Sequence, residues 1–137
     1  MPRRPTSLTW IYWNSWIGPS PTSASAAARL RRGDLVTVAV SSDFGKPRPA
    51  LIIQADAFAD HATVTALLLS SALIDPPLLR FTILPDAING LRLPSQVMID
   101  KTATILRAKI GQTFGRLSAE ALLEVERRLA VFLGIVK

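Results

Sequence analysis

The chain of 137 residues contains no cysteine, one histidine, and ten acidic residues against sixteen lysines and arginines. Without cysteine there are no disulfides, no thiolate zinc sites and no thiol nucleophile, a composition compatible with a reducing cytosol and a cytoplasmic protein. With His61 alone, acid–base catalysis by two histidines cannot be assembled within one chain. A lone histidine in a polar loop reads first as a surface residue, although its ordinary pKa suits general-base work. Asp56 and Asp60 share a helical face but lack further metal ligands at a recognisable spacing. Gly45, Gly90, Gly111 and Gly115 form no phosphate loop. No G-x-S-x-G elbow exists, and Ser70 and Ser71 have no evident histidine partner. No stretch is long and apolar enough for a membrane helix, and no internal repeat is visible.

What is present is a hydrophobic fraction of 49% and a net charge of +6. The first is enough for one packed domain; the second attracts phosphates or anionic surfaces, or simply keeps the surface soluble. Residues 1–28, "MPRRPTSLTWIYWNSWIGPSPTSASAAA", stand apart: they hold all three tryptophans and the one tyrosine, with no acidic residue. A basic start and small residues near Ser23 resemble an export signal. The apolar centre is short and interrupted by Asn14 and Ser15, so an N-terminal extension, disordered or loosely docked, is expected. The folded domain is expected over residues 29–137.

Within that domain the pattern is regular. "RRGDLVTVAV" is a basic run, a Gly-Asp turn and a β-branched strand. "RPALIIQ" and "ATVTALLLSS" are apolar enough for central strands. "LLRFTILP" alternates, and "QVMIDKTATILRA" supplies a fifth strand. Asn89-Gly90 marks a tight turn. "DAFADH" reads as a turn or one helical turn, and Lys109 to Gly115 as a turn region. Ser118 is an N-cap for a closing helix whose apolar face carries Leu122, Val125, Leu129 and Phe132. Short strands at regular spacing, closed by one helix, predict a mainly β (α+β) domain: a small twisted barrel with a C-terminal helix.

The stretch "GKPRPALII" carries the strongest local signal. Proline fixes φ and donates no backbone hydrogen bond, so Pro47 and Pro49 hold Arg48 in a stiff, extended frame at a strand entry. Ser70 and Ser71 end the third strand, and Asp100 follows "QVMI" on the fifth. Singly these have plain readings: a surface ion pair for Arg48, a strand-end cap for Ser70, and a turn acceptor or partner of Lys101 for Asp100.

In this order, "RRGDLVTVAV", "GKPRPALIIQAD", "LLLSSALID" and "LPSQVMIDKTATILRAKIGQTFGRLS" resemble the MazF/PemK family of toxin endoribonucleases from bacterial toxin–antitoxin systems, over roughly residues 30–135. The resemblance implies an SH3-like barrel that forms homodimers and needs no metal or other cofactor. It implies sequence-specific cutting of single-stranded RNA, commonly messenger RNA, and a cognate antitoxin as partner. It carries the active arginine onto Arg48, the strand-end hydroxyl onto Ser70 with Ser71 beside it, and an aspartate onto Asp100. It departs where the plasmid-borne branch has an arginine and this chain has Met98. On this reading Arg48 stabilises phosphorane charge, Ser70 orients a phosphate oxygen and Asp100 is the base for the 2′-hydroxyl. Lys46, Arg31 and Arg80 track the RNA backbone with Ser71. Two other readings share the barrel: a DNA gyrase poison depending on the C-terminal helix, and a catalytically inactive binding relic.

Overall fold

The computed structural model describes residues 30–39, 46–75 and 78–136. The expected N-terminal extension, the loop 40–45 and the Pro76-Pro77 break lie outside the described residues. Six strands form one antiparallel sheet: β1 Asp34–Ala39, β2 Pro47–Ile52, β3 Thr63–Ser70, β4 Arg80–Ile83, β5 Ser95–Leu106 and β6 Ile110–Arg116. Their order across the sheet is β4-β5-β3-β2-β1-β6. An α-helix, α1 Ala119–Phe132, follows the last strand. This is the mainly β, helix-terminated architecture that the pattern predicts.

Alternation within the central strands buries both faces of the sheet. Leu35, Leu51, Leu67, Leu69, Val97 and Ile99 pack on one face with Val125 of α1. Val36, Val38, Ala50, Ile52, Val64 and Ala66 pack on the other with Ile105. Each fully buried Val, Leu or Ile contributes roughly 1.5–3 kcal/mol, so the near-continuous apolar runs of β2 and β3 dominate the stability of the fold. A register shift between Leu67 and Leu69 interrupts the β3–β5 ladder. Such a bulge bends the strand and lets the twelve-residue β5 pair with β4 at one end and with the start of β3 at the other.

The start of α1 agrees with its sequence. The Ser118 side chain accepts from the Ala121 backbone N–H at 3.2 Å, a cap that stabilises the helix by about 1 kcal/mol. Val125 is buried and Leu122 and Leu129 are partly so. Phe132, expected on the same apolar face, is 48% exposed, because the last turn runs past the core. With Val131, Leu78 and Leu79 it lines an open groove of about 390 Å³.

The segment from Lys109 to Gly115, expected as a turn, is instead largely β6. Its register with β1 slips twice, between Leu35 and Val36 and between Val36 and Val38. Two glycines in seven residues weaken the strand signal; tertiary contact requires them. A Cβ on Gly115 would run into the Asn89 carbonyl, where the loop before β5 presses on β6. Asn89 is buried and knits that loop: its Oδ1 accepts from the Asp86 and Leu91 amides, and its Nδ2 donates to the Leu84 carbonyl at 2.9 Å. The turn predicted at Asn89-Gly90 is present, with Gly90 at φ +69°. Gly115→Ala is expected to destabilise the domain by more than about 2 kcal/mol, because backbone must move to admit the methyl group. The urea midpoint of that variant checks it.

Candidate active site

The arginine of "KPRP" lies on β2, paired across the ladder with Val38 of β1. The two prolines act on the other side of the strand. Gly33 donates to the Ile52 carbonyl, so Ile52 turns its backbone toward β1; Ile53 donates to the Thr65 carbonyl, so Ile53 turns toward β3. Backbone groups alternate along a strand, so Ala50 and Arg48 face β1 whereas Leu51, Pro49 and Pro47 face β3. Neither proline has an N–H to give. The β2–β3 ladder accordingly ends at Ala50↔Leu68, while the β1–β2 ladder runs on through Arg48 to Pro47. The sheet is therefore unzipped between β2 and β3 at one end and held firmly by β1.

That opening coincides with the two strongest candidates. The pairs Ala50↔Leu68, Leu51↔Leu67 and Ile52↔Ala66 fix the register. Two residues further along it, Arg48 comes opposite Ser70. Ser70 pairs with Gln96 of β5, and Gln96 pairs with Thr82 of β4. Arg48, Ser70, Gln96 and Thr82 thus form one transverse row on one face. Arg48, Ser70 and Ser71 are each half-buried, and Lys46 is exposed one residue before β2. The Ser70 Oγ accepts from the Ala72 N–H at 3.1 Å, which leaves the hydroxyl proton as a donor.

Asp100 and Arg80 form a second feature beside the row. Arg80 pairs across the ladder with Met98, and its Nη1 lies 2.5 Å from Asp100 Oδ1. Lys101 Nζ stands 3.7 Å from the other carboxylate oxygen. Burial pushes the Asp100 carboxyl up, but the Arg80 hydrogen bond, a backbone hydrogen bond and the charges of Arg80 and Lys101 outweigh it and hold its pKa below the ordinary carboxylate value. An open cleft of about 320 Å³ adjoins both features, lined by Ile74, Asp75, Arg80, Phe81, Thr82, Gln96 and Arg128. Arg128 reaches it from α1, donating to the Arg80 carbonyl at 3.0 Å and lying 5.1 Å over the Phe81 ring.

Arg31 is not brought to this end. It sits in the turn before β1, with its amide on the Asp34 carboxylate, whereas Arg48 faces Val38 near the other end of the strand. His61 is exposed, and its carbonyl accepts from Arg107 at 2.9 Å. The row members that sequence reasoning missed are Gln96 and Thr82. A glutamine opening an apolar strand reads as a strand entry, and nothing in linear spacing shows that it faces Ser70. Among the described residues no cluster of three or more histidine, aspartate or glutamate side chains could hold a metal ion, and no helix is long and apolar enough to cross a membrane.

The model of the PemK-like, MazF-like toxins of type II toxin–antitoxin systems matches residues 31–133. The chain belongs to this family. It is 43% identical over 107 residues to a probable endoribonuclease MazF of Mycolicibacterium smegmatis, covering 77% of this chain and 98% of that protein. Its fold is similar to the Mycobacterium tuberculosis toxin MazF-mt6, with a TM-score of 0.63 at 24% identity over 74% of this chain and 96% of that one. It is equally similar to a mycobacterial endoribonuclease in complex with its cognate antitoxin, with a TM-score of 0.63 at 21% identity, covering 77% and 94% of the two chains. Within this MazF-like chain, Arg80, the partner of Met98 across the β4–β5 ladder, supplies a guanidinium to Asp100.

The depressed pKa of Asp100 has a defined consequence for stability. The ion pair stabilises the fold above the ordinary carboxylate pKa, about 3.9, and that contribution is lost as pH falls through the lower folded value. Asp100→Asn is expected to lower stability by about 1 kcal/mol near pH 7, with the difference from wild type shrinking as pH falls below the ordinary carboxylate value. Thermal unfolding of both proteins across that range is the check.

Proposed function

We propose that this chain is the toxin of a type II toxin–antitoxin pair and a metal-independent endoribonuclease that cuts single-stranded RNA, messenger RNA included, at short sequences. Membership of the MazF-like family supports the activity. The observation that carries the assignment of the site is the Arg48–Ser70 row at the place where the β2–β3 ladder stops.

In the reaction the ribose 2′-oxygen attacks the adjacent phosphorus. A new phosphorus–oxygen bond forms as the 2′-hydroxyl gives its proton to solvent, the bond to the 5′-oxygen breaks as that oxygen takes a proton from solvent, and the products carry a 2′,3′-cyclic phosphate and a free 5′-hydroxyl. The phosphorane gathers negative charge. A guanidinium offers two parallel donors to such an oxyanion, and one held in a strand between two prolines needs little reorganisation to do so. The Ser70 hydroxyl, its oxygen already accepting from Ala72, donates to a phosphate oxygen. Lys46 and Ser71 stand close enough in sequence to follow the RNA backbone, and the requirement for a 2′-hydroxyl selects RNA over DNA.

Asp100 takes a different part from the base that the resemblance suggested. A carboxylate with a depressed pKa is a weak proton acceptor at neutral pH. We assign it to holding Arg80, whose charge borders the cleft beside the row. Arg31, at the far end of β1, is left out of the RNA-binding set. A cognate antitoxin, a homodimer and a cytosolic setting complete the reading. The apolar groove at the end of α1 supplies uncovered surface of the kind a stable dimer buries.

The test is incubation of the purified chain with a long RNA in EDTA. Discrete fragments ending in 2′,3′-cyclic phosphate are expected, with no cutting of an otherwise identical oligonucleotide that carries deoxyribose at the cut site. Arg48→Ala is expected to lower the rate on the order of a hundredfold or more, and Ser70→Ala by about tenfold, with both proteins folded by circular dichroism. Intact RNA with wild type, or full cutting by Arg48→Ala, defeats the proposal. A gyrase poison or an inactive relic gives the first of those outcomes.

A further inference from the structure

We infer that Gln96 is a positioning residue of this reaction: its side chain clamps the segment after β3 and thereby sets the direction in which Ser70 donates. The inference rests on the ribonuclease reading above.

Gln96 is only 6% exposed and stands in the row between Ser70 and Thr82. Both ends of its amide engage one residue of the loop that follows Ser70. Its Oε1 accepts from the Ile74 N–H at 3.0 Å, and its Nε2 donates to the Ile74 carbonyl at 2.8 Å. The second Nε2 proton is shared with Thr82 Oγ1 at 3.2 Å. A side chain that pairs with both backbone groups of one residue acts as a strand partner for a segment that has none. That segment needs one. Residues 72–75 are all exposed, so apolar burial does little to hold them.

The clamp reaches Ser70 through Ala72. Ala72 donates to Ser70 Oγ and lies two residues before Ile74. With Ile74 pinned, the Ala72 amide stays aimed at Ser70, the serine oxygen stays in one rotamer well, and its proton is directed away from the loop. Released, the loop takes the Ala72 amide with it, and the hydroxyl samples several wells. Gln96 itself, behind Ser70 in the row and bound on both amide atoms, needs no contact with RNA.

A double-mutant cycle on cleavage of a short RNA tests this. Gln96→Leu keeps approximate volume and removes the clamp. It is expected to lower kcat about tenfold with KM within about threefold of wild type, since a misaimed group affects the transition state more than binding. In a Ser70→Ala background the same change is expected to cost less than about twofold, because the group it aims is gone. A full tenfold loss in both backgrounds overturns the inference, as does a Gln96→Leu chain that cuts as fast as wild type. If Gln96→Leu does not fold, Gln96→Glu serves. It keeps the acceptor for Ile74 N–H but sets a carboxylate against the Ile74 carbonyl until protonated. Its activity relative to wild type is expected to rise as pH falls toward the carboxylate range; a flat ratio overturns the clamp. A wild-type chain that leaves RNA intact defeats the ribonuclease reading and this inference together.

Discussion

Two backbone hydrogen bonds that β2 cannot donate govern the arrangement of this domain. Pro47 and Pro49 turn their nitrogen atoms toward β3, and a proline nitrogen carries no proton. On the opposite side Arg48 and Ala50 keep the ladder with β1 intact. The strand is therefore held rigidly by one neighbour and released from the other over its first residues. The row of Arg48 and Ser70 lies at that release. A continuous ladder would draw the two strands to about 4.8 Å along their full length and close backbone over that row. Prolines inside a sheet ordinarily weaken it. Here the weakness is confined to one end, and the apolar runs of β2 and β3 carry the stability elsewhere.

The surroundings of the row fix side chains through partners that are themselves fixed. Asp100 holds Arg80 from β5, and Arg128 of α1 bonds the Arg80 carbonyl while its guanidinium covers Phe81. Gln96 holds Ile74, and Ala72 bonds Ser70. Each link runs from a buried strand or the helix outward to a half-exposed group. The middle of α1 is tied in the same way, Arg32 pairing with Glu126 at 2.7 Å, and the end of β6 is tied to β1 by Arg116 on the buried Asp34 carboxylate. The first of these is exposed enough to contribute little. The second is the more consequential, because the buried Asp34 carboxylate is enclosed with donors from Arg116 and the Arg31 amide.

Much of this was legible in the residues. Five strands, the Asn89-Gly90 turn and the Ser118 cap follow from alternation, turn chemistry and capping. β6 was hidden because Gly111 and Gly115 answer to contacts with Thr37 and Asn89, which no local pattern encodes. Phe132 kept its helical spacing but lies beyond the end of the core. Arg48 and Ser70 were visible as a stiff arginine and a strand-end hydroxyl. Their common row was not, since it depends on the register between β2 and β3, which no local pattern fixes. The same holds for Arg80 facing Met98, for Gln96 behind Ser70, and for Arg31, whose end of β1 cannot be told from its place in the chain.

In the proposed ribonuclease, the absent amide proton at position 49 is what keeps the reaction site open. Pro49→Ala tests it most directly, with hydrogen exchange and RNA cleavage measured on the same protein. The new amide at 49 is expected to become as protected as that of Leu51, with a fold at least as stable as wild type and cleavage lowered on the order of tenfold or more, as for a site partly closed by backbone. An unprotected amide at 49, or a protected one with cleavage undiminished, would contradict it.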